Sequence, residues 1–466
     1  YRTNTSKNIK KSPKYMKFII YLQYYRVSEA KVLSELNQEK SFGLNLILIG
    51  LIASIMIQFP ITHNAYHIFL GLLLVMISIR FIQTGIKFKN LNLYFSFTFV
   101  FGFIYLAFSA LDNSSFFVRN YLLLFLLIFY MYLMFTKEGQ GYAIKTYKQV
   151  ALLLNTLSVF NLYEVIFNKP LLLKFMELRT VGYNYHIGTD QYRTMSVFDH
   201  PIICGLFFVI AFFINIYVIK SPIIKYPLQF LLLLNIYSTM SRSAWIALVI
   251  VLLVYGIINF KKLFKIPKNI RLTYNQILLI YIGMIFTLFG LGMLILNFSE
   301  LYEAIIKRFG DSLSFNSTDG SSLQRTMTIS LILEHMKNSN MINLFFGYGS
   351  SEVGPFMVAH PITMQGFSTT DNQYLAWFFE VGLIGIIAYL ATLFFILKKI
   401  FNKSRNWVSE LSLLCLIVIS IELFFFELFE WQAVRLILAF VVSCLTFNHN
   451  IDDKETTNQS EFEKAS

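Results

Sequence analysis

Apolar runs separated by polar breaks fill most of the 466-residue chain. They lie near Leu44 to Phe59, Ala65 to Phe81, Leu91 to Ala110, Val118 to Phe135, Val150 to Phe167 and Ile202 to Val218. Further runs lie near Tyr226 to Tyr237, Ala244 to Phe260, Ile277 to Leu296, Leu375 to Leu397, Leu411 to Phe426 and Val434 to Phe447. A helix needs about 20 apolar residues to cross hydrocarbon, and hydrocarbon tolerates only backbone whose hydrogen bonds are made internally. The pattern therefore predicts an all-α polytopic membrane protein with about 12 transmembrane helices. Two polar breaks are too long for turns: Asn168 to Pro201, and Ser299 to Gln373. Within the second, Gly320-Ser321-Ser322 reads as an N-cap that opens an amphipathic stretch through Met336. Such a stretch also suits a helix lying on the membrane with no ligand.

Composition supports this. Hydrophobic residues make up 56% of the chain and charged residues 14%, too little charge to cover a soluble protein of this size. The net charge of +13 would suggest nucleic acid in a soluble protein. Here the cations sit in short breaks between apolar runs: Lys261, Lys262, Lys265, Lys268 and Arg271 after one run, Lys398, Lys399, Lys403 and Arg405 after another. That is the positive-inside pattern, and it excludes nucleic acid as the expected partner. It predicts a basic cytoplasmic segment over 1–43, one transmembrane domain over 44–447 with external loops 168–201 and 298–373, and a cytoplasmic disordered tail over 448–466. Cys204, Cys415 and Cys444 all lie in apolar runs, with neither metal spacing nor a disulfide framework.

This topology puts Arg193, Arg242, Arg308 and Arg325 on the external side, where the charge rule least expects arginine. Singly, each fits a lipid headgroup or a loop ion pair. Four from three loops fit a shared anionic ligand, since the guanidinium fork takes phosphate oxygens bidentately. The contexts agree. Arg193 precedes Phe198-Asp199-His200-Pro201, and Pro suits the first turn of a helix. Ser238-Thr239-Met240-Ser241-Arg242-Ser243 sets hydroxyls and Arg242 at a helix start, an end that favours anions.

These stretches, in this order, resemble a family. Ser-Arg-Ser-Ala-Trp at 241–245 opens a span, Arg308-Phe309 and Arg325 follow in the largest external loop, and Phe346-Gly347-Tyr348-Gly349 comes next. Asp371-Asn372-Gln373-Tyr374-Leu375 and Glu380-Val381-Gly382-Leu383-Ile384-Gly385 complete the set. The chain beyond about Val150 is similar to the O-antigen ligase and polymerase superfamily of membrane glycosyltransferases. The resemblance implies transfer of a glycan from an undecaprenyl-diphosphate carrier to an acceptor hydroxyl at the outer face of the cytoplasmic membrane, without metal, nucleotide sugar or other cofactor. It implies that Arg193, Arg242 and Arg308 bind the diphosphate, with Ser241 and Asn372 among the substrate contacts. Arg325 would serve catalysis, and Glu380 would support the site by pairing an arginine. Where ligases carry His-Asn this chain carries Asp371-Asn372, so the acceptor base becomes Asp371, with His360 as a substitute. That departure favours a polymerase of lipid-linked repeat units (O-antigen, capsule or exopolysaccharide) over a ligase to lipid A-core. A chain-length regulator and a flippase are the implied protein partners. The rival from another class is a lipid-linked oligosaccharide flippase, which should hold its charges in a cavity within the spans. A third reading is an inactive export or scaffold subunit.

Overall fold

The structure, a computed structural model, describes residues 140–169, 192–198, 200–263, 320–362, 365–401 and 406–446, with a few short helical stretches between 48 and 128. The described residues form ten α-helices and one 3-10 turn. They are α1 (Gln140–Phe167), α2 (Pro201–Val218), α3 (Pro222–Ser238), α4 (Arg242–Leu263), α5 (Gly320–Lys337), α6 (Met341–Phe346), α7 (Val353–Ala359), α8 (Gln373–Phe401), α9 (Trp407–Phe425) and α10 (Gln432–Thr446). The all-α prediction holds for these residues.

Among the described residues five helices are long and apolar enough to cross a membrane: Tyr142–Phe167, Pro201–Val218, Arg242–Asn259, Gln373–Phe394 and Trp407–Phe425. Gln432–Leu445 is apolar and shorter. Most of the runs expected over 44–135, the run near 277–296, the segments 1–43 and 448–466, and Arg308 lie outside the described residues. The structure thus supports a membrane bundle, while the count of about 12 remains an expectation from the apolar runs.

One boundary moves. The run expected from Val150 begins a helix at Gln140. Tyr142, Ala143, Thr146, Tyr147, Val150 and Leu154 fall on one helical face and are buried, while Lys145 and Lys148 point outward. Lys145 and Lys148, which stand between two apolar runs in the sequence, are the solvated side of the first turns.

α2 is the axis of the bundle. Every residue from Pro201 to Asn215 is buried, and α1, α3, α4 and α9 all pack on it. Gly205 permits the closest approach: a Cβ there would stand 2.7 Å from the Ala244 Cβ. Buried amides are satisfied across helices. Asn155 and Asn215 exchange hydrogen bonds of 2.9 Å in both directions, and Asn161 Nδ2 donates to Asn235 Oδ1 at 3.0 Å. An unpaired amide in hydrocarbon is costly, so these pairs also fix helix register. A second, smaller core joins Ile332 and Met336 of α5, Val353 and Met357 of α7, and Leu375, Ala376 and Phe379 of α8. The long polar break is thereby tied to a span.

That tie has a backbone lock. Gly347 (φ 81°) and Gly382 (φ 68°) both sit in the left-handed region that side chains disfavour. A Cβ on Gly347 would strike the Glu380 carbonyl, and one on Gly382 would strike the Phe345 carbonyl. Tyr348 N donates to Phe379 O at 2.9 Å and Gly349 N to Glu380 O at 3.1 Å. α8 kinks at Gly382 and receives the 346–349 turn there.

Candidate active site

Three helix N-termini and one C-terminus come together: the starts of α2, α4 and α8, and the end of α9. Each carries unpaired backbone groups, and the N-termini favour anions. His200 caps α2, its Nδ1 accepting from Ile202 N at 3.2 Å. This bond leaves the proton of the neutral ring on Nε2. The ring stacks on Phe426 beyond α9, centroids 4.4 Å apart. Asn372 caps α8, its Oδ1 accepting from Leu375 N at 3.1 Å. Ser241 precedes α4, buried, with its hydroxyl 2.9 Å from that of Ser243.

The arginines arrive from separate segments. Arg193 Nε donates to Thr239 O in the α3–α4 turn at 3.1 Å. Arg325, in the second turn of α5, stands with its Nε 3.8 Å from Asp371 Oδ2. Both arginines act on His200. Desolvation of the ring, then the fields of Arg193 and Arg325, push its pKa down to about 3, so it stays neutral at physiological pH. Arg242 opens α4, in the turn that Arg193 holds.

Asp371 sits at φ 52°, a left-handed conformation that a non-glycine residue adopts at a cost of about 1–3 kcal/mol. Burial pushes its carboxyl pKa up, while Arg325 and the Thr369 hydroxyl at 3.4 Å pull it down. The next residue back is firmly held. Thr370 donates to Glu427 from its backbone N–H and, at 2.6 Å, from its hydroxyl. Asp371 is thus an aimed, half-buried carboxylate on a pinned turn.

Two further expected residues are His360 and Glu380. His360 caps the end of α7, its ring on Phe356 and its Nδ1 2.9 Å from the Phe356 carbonyl oxygen. It is electrostatically coupled to His335, which lies ten positions beyond Arg325 on α5, a rise of about 15 Å. Asp371, not His360, stands at Arg325. Glu380 accepts from Ser351 N at 2.8 Å and so holds the turn that follows α6.

Of two buried carboxylates here, Glu422 was legible as an acidic residue in an apolar run that could pair an arginine, and Glu164 was not singled out. Glu164, near the end of α1, is 1% exposed and accepts from Tyr192 Oη at 2.9 Å, Met195 N at 3.0 Å and Ser196 N at 2.8 Å. It anchors the segment that carries Arg193. Glu422, in the last turn of α9, is fully buried with Ser243 beside it and Arg325 within electrostatic reach. The available signal was an acidic residue inside an apolar run. Among the described residues, no group of three His, Cys, Asp or Glu side chains is arranged to hold a metal ion. The groups brought together here are arginine guanidiniums and the Asp371 carboxylate.

Residues 228–390 match the family model Wzy_C, described as O-antigen ligase. The match supports the O-antigen ligase and polymerase superfamily. The matched segment holds Arg242, Arg325, Asp371 and Glu380, while Glu164, Arg193, His200 and Glu422 lie outside its bounds. No curated protein matches the chain.

Proposed function

We propose that this protein is a membrane glycosyltransferase that polymerises undecaprenyl-diphosphate-linked oligosaccharide repeat units on the outer face of the cytoplasmic membrane. The observation that carries the reading is the convergence of Arg193 and Arg325, from separate segments, on neutral His200, with Asp371 at Arg325. It supports a clamp for a diphosphate leaving group beside a base for an acceptor hydroxyl.

The donor diphosphate docks on Arg193, Arg325 and Arg242 at the helix starts. Its oxygens compete for the Arg325 guanidinium and weaken the pair with Asp371. Losing that cation removes a pull that keeps the Asp371 pKa down, so donor binding strengthens the base. Asp371 accepts the proton of the acceptor hydroxyl as its oxygen bonds to the anomeric carbon. The anomeric carbon–phosphate oxygen bond breaks, and its electron pair leaves on the diphosphate, whose charge the arginines neutralise. Neutral His200, with a donor at Nε2, adds a hydrogen bond without adding charge.

The second reading is a ligase that transfers glycan to lipid A-core, favoured by the description of the matched family. The acceptor separates the two. Purified protein given only a lipid-linked repeat unit should build a ladder of longer glycans. Transfer to lipid A-core without a ladder would select the ligase, and transfer to neither would remove both readings.

A further inference from the structure

We propose that α6 is an interfacial anchor whose apolar face is buried among the acyl chains of the leaflet remote from Lys398 and Lys399. The pattern within the helix comes first. Met341, Ile342, Phe345 and Phe346 fall within about 140° of one another around a helix of 100° per residue. They are 72%, 69%, 43% and 55% exposed. Leu344, on the other side, packs on the core shared by α5, α7 and α8. No residue of α6 is buried. A six-residue helix with four large apolar side chains turned outward is not stable in water on its own.

Depth decides what covers that face. The end of α6 is locked onto α8: the Phe345 carbonyl meets Gly382, and the Glu380 carbonyl meets Gly347. Lys398 and Lys399 close the apolar run of α8. Hydrocarbon about 30 Å thick takes about 20 residues of helix, which counts back from Lys398 to about Phe378. Glu380 to Gly382 therefore lie within the first turns of the membrane-embedded part of α8. Further along, α8 turns Ile387, Leu390 and Phe394 outward, 60%, 55% and 63% exposed, at the i, i+3, i+7 spacing of one helical face. A face fixed at that level meets lipid, where four apolar side chains are favoured. Asn340 caps the start of α6, accepting from Asn343 N at 2.7 Å, which satisfies a backbone donor that a membrane boundary would leave costly. Part of the long polar break is then an element of the membrane boundary and not a loop held above it. Nothing in this placement depends on the chemistry at Arg325.

The test uses spin labels on the full-length protein in phosphatidylcholine–phosphatidylglycerol nanodiscs, with Ile342→Cys, Phe345→Cys, Leu390→Cys and Lys337→Cys labelled one at a time. The native cysteines are buried. Power saturation with oxygen and with a water-soluble nickel chelate reads the surroundings. The labels at 342 and 345 should collide severalfold more with oxygen than with the chelate, as the label at 390 does, while the label at 337 shows the reverse. Dominance of the chelate at 342 and 345 would put α6 in water and overturn the proposal. Weak collision with both reagents would mean that protein covers the face, and would overturn it equally. If either variant fails to accumulate, Met341→Cys reads the same face.

Discussion

Arg325 Nε and Asp371 Oδ2 are 3.8 Å apart, an ion pair but not a hydrogen bond. The two side chains are 30% and 18% exposed. A tight bidentate pair in a dry site would resist exchange. This looser one leaves the guanidinium donors free to turn to a phosphate oxygen and the carboxylate free to turn to a hydroxyl. It is the arrangement expected of a site waiting for a charged ligand.

Replacing either clamp tests the role directly. Arg193→Ala and Arg325→Ala should each lower polymerisation roughly a hundredfold or more, the cost of losing one donor to a developing anion. The protein should remain in the membrane at its usual level. Lysine at either position should restore activity only in part, because it offers a point charge without the fork. Full activity of both alanine variants in a purified assay would sink the diphosphate clamp.

The pH profile tests Asp371. Burial raises its pKa, and a base works only when deprotonated. Activity should therefore fall as pH drops through that raised pKa, and the acid limb should lie above the ordinary carboxylate range of about 4. Thr369→Val removes a bond that favours the charged form, so the limb should move to higher pH. Asp371→Asn should abolish the limb and most turnover while donor binding persists. A limb unmoved in Thr369→Val and unchanged in Asp371→Asn would assign the base elsewhere.

Much of this site was legible in the chain, and the reasons are local. Arg242 beside serines at a run boundary, Pro201 at a helix start and Asp371-Asn372 before an apolar run are signals of neighbouring residues. The all-helical class followed from run length alone. Glu164 was not legible as an anchor, because its three donors lie 28 to 32 positions away. Nor was the separation of His360 from Asp371. Eleven positions apart in sequence, they are parted because α7 caps onto His360 and packs it toward His335. Gly347 reads as part of a flexible turn and Gly382 as part of a span, and only their mutual contact shows what they are for.

That contact makes a sharp stability prediction. Alanine at Gly382 must adopt a left-handed φ, costing about 1–2 kcal/mol, and must also displace the Phe345 carbonyl. Gly347→Ala meets the same two obstacles at the Glu380 carbonyl. Both should lower the apparent Tm by several degrees and detach the 320–362 segment, read as new protease cleavage there. Gly256→Ala in α4 has nothing within 4 Å of the added methyl. It should be neutral or stabilise by up to about 1 kcal/mol. Equal tolerance at all three positions would refute the lock.

Glu164 should act through Arg193. Glu164→Gln retains one acceptor oxygen where the carboxylate offered two, leaving an N–H or hydroxyl of Tyr192, Met195 or Ser196 unaccepted, at about 1–3 kcal/mol. The Arg193 segment should loosen and kcat/KM for the lipid-linked donor should fall about tenfold. A merely structural residue would add its loss to any other. A positioning residue should not, so Glu164→Gln combined with Arg193→Lys should lose little beyond Arg193→Lys alone. Full additivity in that cycle would disconnect Glu164 from the arginine.

Glu422 sets stability against function. It is fully buried, and among the described residues neither carboxylate oxygen makes a hydrogen bond of good geometry, although the Ser243 hydroxyl lies beside it. Such a group is a liability for folding, and an apolar side chain of similar size often improves on a buried ion by about 1–4 kcal/mol. Its neighbours give the reason to keep it: Arg325 lies within electrostatic reach. In the proposed reaction, a carboxylate there would keep its pull on the guanidinium while Asp371 turns to the acceptor. Glu422→Leu should therefore raise the apparent Tm and lower turnover about tenfold or more, the exchange expected where a site is built at the expense of stability. Glu422→Asp should keep more activity than Glu422→Leu and gain less stability. A Glu422→Leu enzyme both stabilised and fully active would make the carboxylate a bystander. A destabilised one would mean that its oxygens are satisfied in the folded protein, and would end the argument that Arg325 is what retains it.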